Sequence, residues 1–391
     1  LAIADRGYAV LLVEKEDTLG GNLLHIPVGF EDQDVVSFLE GHRRRLMAHE
    51  LVTVRTQATL TDVTGFVGNF RSVLSDGSEY EHGVAIVATG AQEYEPTEFM
   101  YHESPRVVTQ RELSARLAGM NGTWEDAPER VVMIQCVGSR NEEHPYCSRV
   151  CCNRAVKNAL RIKELSPTTE VHVLYRDVRT YGLREVNYQQ ARGKGVHFVR
   201  FTEDAPPSVV AGDGDEVRVR FLEQTLQCEL DLGTELVVLS SGIVADSDAN
   251  DVVGKLFKVP INGDGFFLEA HAKLRPVEFA TEGVFLAGLA HGPKSLDESL
   301  GQALAAASRA CTILSKPDIE GQPNIAEVKP DSCVACGLCE SLCAYNAISL
   351  ELQQIGRDER VFAKVNPALC KGCGACVAGC RSGGLNLRGF T

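Results

Sequence analysis

The chain has 391 residues, 53 acidic against 39 basic side chains, a formal net charge of -14, 44% hydrophobic residues and 36 glycines. That length can bury more than one core and implies two or three domains. The acidic balance, with no clustered Lys and Arg face, argues against nucleic acid or an anionic membrane surface as a partner.

Fourteen cysteines would suit disulfides in a small secreted protein. Twelve of them, however, fall in three tight clusters with spacings that fit metal thiolates, which points to a reducing, cytoplasmic compartment. No apolar run reaches the roughly 18 residues a membrane helix requires, so a soluble chain without a transmembrane segment is expected.

In chain order, Leu1 to Tyr8 reads as the second half of an amphipathic helix, followed by a strand, Ala9 to Val13, that ends at Glu14. A nucleotide-binding unit places a strand and a Gly-rich turn before such a helix, so the expectation is an N-terminally truncated fragment of a dinucleotide-binding domain. Glu14 would then hold an adenosine ribose hydroxyl, and the Gly20-Gly21 turn would let backbone approach a flavin. A small sheet is expected near Leu51 to Leu74. The strand Val84-Ala-Ile-Val-Ala followed by Thr89-Gly90 has the strand-to-glycine form that recurs in flavoproteins with two dinucleotide-binding domains.

From about Glu129 a new unit opens with the strand Arg130 to Gln135, then Gln135-Cys136-Val-Gly-Ser-Arg140 and Tyr146-Cys147-Ser-Arg-Val-Cys151-Cys152, leading into a helix from Asn153 to about Leu165. Thiols at a strand end and a positive helix terminus, with Arg140 and Arg149 near, fit a third [4Fe-4S] cluster; buried thiols or zinc are the alternatives. Cysteine chemistry occupies the place of the phosphate loop, with a single glycine and no GxGxxG, so no conventional nicotinamide site is expected. Residues 1 to 135 contain no cysteine, which removes a redox dithiol from the first part of the flavin unit.

The strand Gly283 to Gly288 and a helix from about Leu296 to Leu314 return the chain to the first domain, and the helix amino terminus would face the cofactor. The expected division is a first part of the FAD-binding domain at 1–127, an inserted cysteine-bearing domain at 128–243, the second part at 244–316, a linker at 317–324 and a ferredoxin domain at 325–391. Cys228 and Cys311 read as core residues.

The C-terminal signal is the most specific. Cys333, Cys336, Cys339 and Cys343 are echoed by Cys370, Cys373, Cys376 and Cys380, each run CxxCxxCxxxC. In two-cluster ferredoxins the fourth thiolate crosses to the other cluster, so Cys380 joins the first three and Cys343 joins the second three. Gly337, Gly372, Gly374 and Ala375 let amides turn toward sulfide. Ala344 and Arg381 stand where a proline usually follows the fourth cysteine.

QCVGSRNEEHPYCSRVCCNRAVKNA, VLYRDVRTYG, GVFLAGLAHGPKSLDESLGQALAAA and the tandem ferredoxin runs together resemble the A-type subunits of heterodisulfide reductase, along essentially the whole chain. The resemblance implies an α/β fold, thioredoxin-reductase-like with two dinucleotide-binding domains, carrying a C-terminal α+β ferredoxin domain with two [4Fe-4S] clusters. It implies an oxidoreductase with FAD contacts at Glu14, Lys15, Gly20, Gly21, Asn22, Thr89, Gly90, Gly288, Gly301, Gln302 and Ala303. Insert cluster ligands fall at Cys136, Cys147, Cys151 and Cys152. Lys157 looks like the family's lysine near the flavin N5, with Glu112 as its acidic partner. The implied partners are other subunits of a heterodisulfide-reductase-like complex, a hydrogenase or formate dehydrogenase module and ferredoxin, with electron bifurcation among the implied tasks. Related hub subunits of quinone-interacting or acyl-CoA reductase complexes, an NAD(P)H-dependent iron-sulfur flavoprotein and a non-catalytic ferredoxin relay are the competing readings.

Overall fold

The computed structural model describes all residues except 31–32, 121, 213, 215, 320–323, 356–357 and 390–391. The apolar run Arg130–Val137 is buried along nearly its whole length, as a strand covered on both faces of a parallel sheet must be. It pairs in parallel with Glu170–Tyr175 and Leu236–Ser241. The sheet is completed by His197–Arg200 at one edge and Val107–Thr109 at the other. One face packs on the Cys151–Leu165 helix through Ala155, Val156, Ala159 and Ile162, and the other on Phe201, Val219 and Phe221.

Val107–Thr109, some twenty residues before position 128, is an edge strand of this sheet, and Leu113 and Leu117 of the Gln110–Ala118 helix pack in its core. The two chain crossings between the units, Gln92–Glu93 and Ile243–Val244, pair antiparallel with each other.

Around that unit the first domain is built in pieces. Val10–Val13 pairs in parallel with Val52–Arg55, and Ala85–Val87 with Val284–Leu286. Leu60–Phe66, Asn69–Leu74 and Glu79–His82 form an antiparallel meander, larger than the sheet expected there. Val87, Phe257, Phe267, Phe279, Val284 and Leu286 make its core. The expected N-terminal helix is a three-residue 3-10 turn, Ala4–Arg6, that ends at Gly7 in the left-handed region. Cys228 is exposed rather than in a core, and Cys311 is half-buried.

The C-terminal unit pairs Ala326–Val328 with Leu385–Leu387 and Ile348–Ile355 with Asp358–Val365. Two short helices belong to it, Leu338–Ser341 and Ala375–Gly379, each entered through a glycine in the left-handed region, Gly337 or Gly374. The expected linker lies partly outside the described residues. No helix among the described residues is long and apolar enough to cross a membrane.

Candidate functional site

Two small cavities mark the ferredoxin unit. Cys333, Cys336, Cys339 and Cys380 line one, and Cys343, Cys370, Cys373 and Cys376 line the other. Each draws three thiols from one run and one from the other, because the repeat places each fourth cysteine next to the opposite loop. The amides of Ala326 and Ala347 donate to the Cys370 and Cys343 sulfurs at 3.3 and 3.2 Å, bonds of the kind that set cluster potentials.

In the second unit the helix starts at Cys151, so Cys151 and Cys152 occupy its first turn, while Cys136 stands at the end of the central strand. Cys152, Cys136 and Cys147 each add to the rise of the Cys151 thiol, after burial. Burial pushes the Cys136 thiol up against the pull of Arg140, raises Cys151 strongly and lifts Cys152 to about 11. Isolated thiolates are costly there, and the site suits a metal cluster that supplies the missing positive charge. Arg140 reaches the Cys136 sulfur at 3.9 Å and Asp177 at 2.8 Å. Cys136, Gly138, Arg140 and Arg149 all adopt left-handed backbone, an uncommon state for the three non-glycines. Ser148 anchors the loop, accepting from the Ile243 amide at 2.8 Å.

A cleft of about 630 Å³ opens where the two units meet, with Asn22, Val28, Gly29, Glu93, Val150, Arg154, Lys157, Leu289, Lys294 and Ser295 among its walls. Of the residues expected to touch a flavin, Asn22 is among its walls, whereas Glu14, Lys15, Gly20, Gly21, Thr89, Gly90, Gly288, Gly301, Gln302 and Ala303 are not. The Asn22 side-chain amide donates to Ala91 O at 2.7 Å, and Thr89 donates to Asn250 at 2.8 Å. Gly90 and Gly288 have φ of 82° and 73°, and a Cβ added at either would meet open space, as it would at Gly21 and Gly301. The residues therefore fit a cofactor approached by bare backbone. The Gly288 amide donates to Gln302 at 2.9 Å, and Gln302 is held by His291 and through it by Glu269. Lys15 is engaged by Asp246 at 2.9 Å, and the Glu14 carboxylate accepts from the Glu16 amide at 3.0 Å.

Lys157 reaches the cleft, donating to Val28 O at 2.7 Å and to Gly29 O. Its expected acidic partner is engaged elsewhere. Glu112 is the reciprocal acceptor of a capping box, taking the Thr109 amide at 2.7 Å while Thr109 accepts from the Glu112 amide. The buried carboxylate of the cleft is Glu93, paired with Arg154 at 3.2 Å and Arg111 at 3.9 Å. Burial outweighs both cations and leaves its carboxyl raised. Sequence reasoning also missed Lys294, whose ammonium donates to Gly288 O at 2.6 Å and Gly292 O at 2.8 Å. Burial, helped by Arg149, lowers it to about 8.

Residues 319–384 match the 4Fe-4S dicluster domain family. A CoB–CoM heterodisulfide reductase iron-sulfur subunit of the A type from Methanopyrus kandleri is 30% identical across 90% of this chain and 67% of its own length. The chain belongs to the family of heterodisulfide reductase A-type subunits. This is a family of oxidoreductase components, and its C-terminal unit here is a two-cluster [4Fe-4S] domain. Another member, the A-type component of the H2:CoB-CoM heterodisulfide,ferredoxin reductase of Methanothermobacter marburgensis, is 38% identical over 70% of this chain. The chain spans 67% of the first relative and 43% of the second. Among solved structures, the thioredoxin reductases of T. acidophilum (TM-score 0.52, 15% identity, 80% of this chain and 91% of that one) and Lactococcus lactis (0.53, 16%, 80% and 93%) share the fold of this heterodisulfide reductase family member.

Proposed function

We propose that the chain is an electron hub in which FAD, bound at the cleft between the units, exchanges electrons with an insert cluster and through the complex with the ferredoxin clusters. FAD supplies the capacity to take electrons in pairs and release them singly, which one-electron clusters require. Glu14, Gly20, Gly21, Asn22, Thr89, Gly90, Gly288, Gly301, Gln302 and Ala303 would hold it. Cys136, Cys147, Cys151 and Cys152 would hold the insert cluster, and the two cavities of the C-terminal unit the other two. The domain division proposed is a flavin domain interrupted by a cysteine-bearing unit from about residue 94 to 243, followed by the ferredoxin unit.

The observation that carries this reading is position. Four thiols lie from the end of the central strand to the first turn of the following helix, where a dinucleotide domain presents glycines to a pyrophosphate, and the intervening loop runs through Val150 to the wall of the cleft. Lys157 and Lys294 add positive charge to that wall, which favours a reduced, anionic cofactor. Val150 and Ile243 add apolar surface to the same wall. The names of the relatives, which specify heterodisulfide, ferredoxin and in one case hydrogen or formate, support work within a heterodisulfide-reductase-like complex fed by a hydrogenase or formate dehydrogenase module. Bifurcation toward ferredoxin is the finer form of the proposal.

Anaerobic reductive titration of the full-length chain, followed by flavin absorbance and by electron paramagnetic resonance, tests it. Dithionite is expected to reduce flavin and clusters in one connected titration, whereas NADH leaves both oxidised. Flavin-free protein, or rapid bleaching by NADH, contradicts the proposal.

A further inference from the structure

The cysteine-bearing unit is tied to the flavin-side helix by an arginine that lies inside the ligand sequence itself. Arg149 stands between Cys147 and Cys151, holds a φ of 61° and brings its amide to 3.4 Å from the Cys147 sulfur. Its guanidinium leaves the insert and crosses to residues 144 and 149 positions later. There it donates to Pro293 O at 3.3 Å and to the Glu298 carboxylate at 2.5 Å.

Glu298 is not a loose surface acid. Its other oxygen accepts from the Ser295 amide and hydroxyl at 2.9 and 3.0 Å, the capping box that starts the Leu296–Leu314 helix. Tyr181 completes the joint: its hydroxyl donates to Glu298 at 3.0 Å and accepts from Arg149 at 3.2 Å, with the guanidinium 5.2 Å from its ring centre. A second arginine of the same unit, Arg184, donates to Asp297 at 2.6 Å and lies 4.9 Å from the Phe30 ring centre. Exposed ion pairs usually add little to stability. Here both ends are fixed beforehand, one by its position between two cysteines and the other by a helix cap, so the pair transmits position.

We infer that Arg149 is a positioning residue that, through Glu298 and Tyr181, fixes the insert cluster relative to the cofactor cleft and so sets how fast single electrons pass between them. This rests on the proposed binding of FAD at the cleft and of a cluster at Cys136, Cys147, Cys151 and Cys152. Each crossing moves one electron from reduced flavin to an oxidised cluster; the iron gains the electron the flavin loses, with dithionite as the supply.

The test uses the full-length chain, with clusters and flavin, as parent, Arg149→Gln, Arg149→Lys, Glu298→Gln and the Arg149→Gln/Glu298→Gln double variant. Iron, sulfide and flavin are counted, melting is recorded, and electron redistribution after a sub-stoichiometric dithionite pulse is followed by rapid-freeze paramagnetic resonance. Composition and melting are expected to stay near the parent's, while flavin-to-cluster transfer slows several-fold in Arg149→Gln and Glu298→Gln. The double variant should be no slower than either single one, and Arg149→Lys should recover part of the rate. An unchanged rate overturns the inference, as does loss of the insert cluster's iron from Arg149→Gln, which would make the arginine a retention device. If the parent itself lacks the third set of irons or the flavin, the underlying reading fails, and the parent's count shows this before any variant is measured.

Discussion

At the scale of single residues, the cleft's two lysines have different electrostatic roles. Lys157 is tethered to the Val28 and Gly29 carbonyls, and with FAD at the cleft as proposed, a cation so held would stabilise the reduced anionic flavin. Losing one charge-assisted contact of roughly 1.5–3 kcal/mol should lower the two-electron flavin potential of Lys157→Ala by roughly 30–60 mV; an unchanged potential in a redox titration removes its role. Lys294 is lowered to about 8 by burial and by Arg149. Below pH 8 both folded and unfolded chains carry the proton and the folded chain bears the cost of burying it. Between about pH 8 and the ordinary lysine range the unfolded chain holds more protons, so this group's contribution to stability rises with pH. Denaturation of parent and Lys294→Met at pH 7 and pH 10 should show the variant gaining on the order of 2 kcal/mol at the lower pH, after solvent screening of a part-exposed amine, and little at the higher. Equal differences at both pH values contradict that assignment. Neither lysine's setting is written locally in the sequence: Lys157 is picked out by the family resemblance, and the burial of Lys294 depends on two carbonyls of the turn that follows a strand.

At the scale of elements, the ferredoxin unit was the most legible, because its repeated spacing implies both loops and the exchange of fourth cysteines between them. A Cys380→Ser variant should therefore perturb the cluster of Cys333, Cys336 and Cys339, whose cavity it lines, and leave the one beside Cys373 intact. Paramagnetic resonance of the reduced variant distinguishes the two, and a change in the other cluster contradicts the crossed arrangement. Gly372 tests the loop's backbone: at φ 62° its missing Cβ would overlap the carbonyl oxygen of Asn324. Gly372→Ala should cost about 1–3 kcal/mol and lower iron content, read by melting and metal analysis. The Val107–Thr109 strand was illegible for a physical reason. Three buried residues followed by a capped helix carry no period long enough to assign them to one domain, and membership is decided by pairing with Leu236–Ser241, more than 120 residues away.

For the whole molecule, the sequence patterns announced two α/β units and a ferredoxin tail. They did not announce how the units are joined. The joint includes long-range polar contacts, Arg154 with Glu93, Lys157 with Val28, Arg184 with Asp297 and Arg149 with Glu298, and pairs so distant in sequence leave no periodic trace. Glu112, three residues after Thr109, serves a local helix cap that the sequence does announce. On the proposed reading the joint sets one group of thiols near the cofactor cleft and leaves two more groups in the tail. The most direct test of that claim is a joint count of iron, sulfide and flavin in anaerobically purified full-length protein. Three four-iron clusters require about twelve irons with as many sulfides per chain, together with one flavin, whereas about eight irons would contradict a cluster at Cys136, Cys147, Cys151 and Cys152.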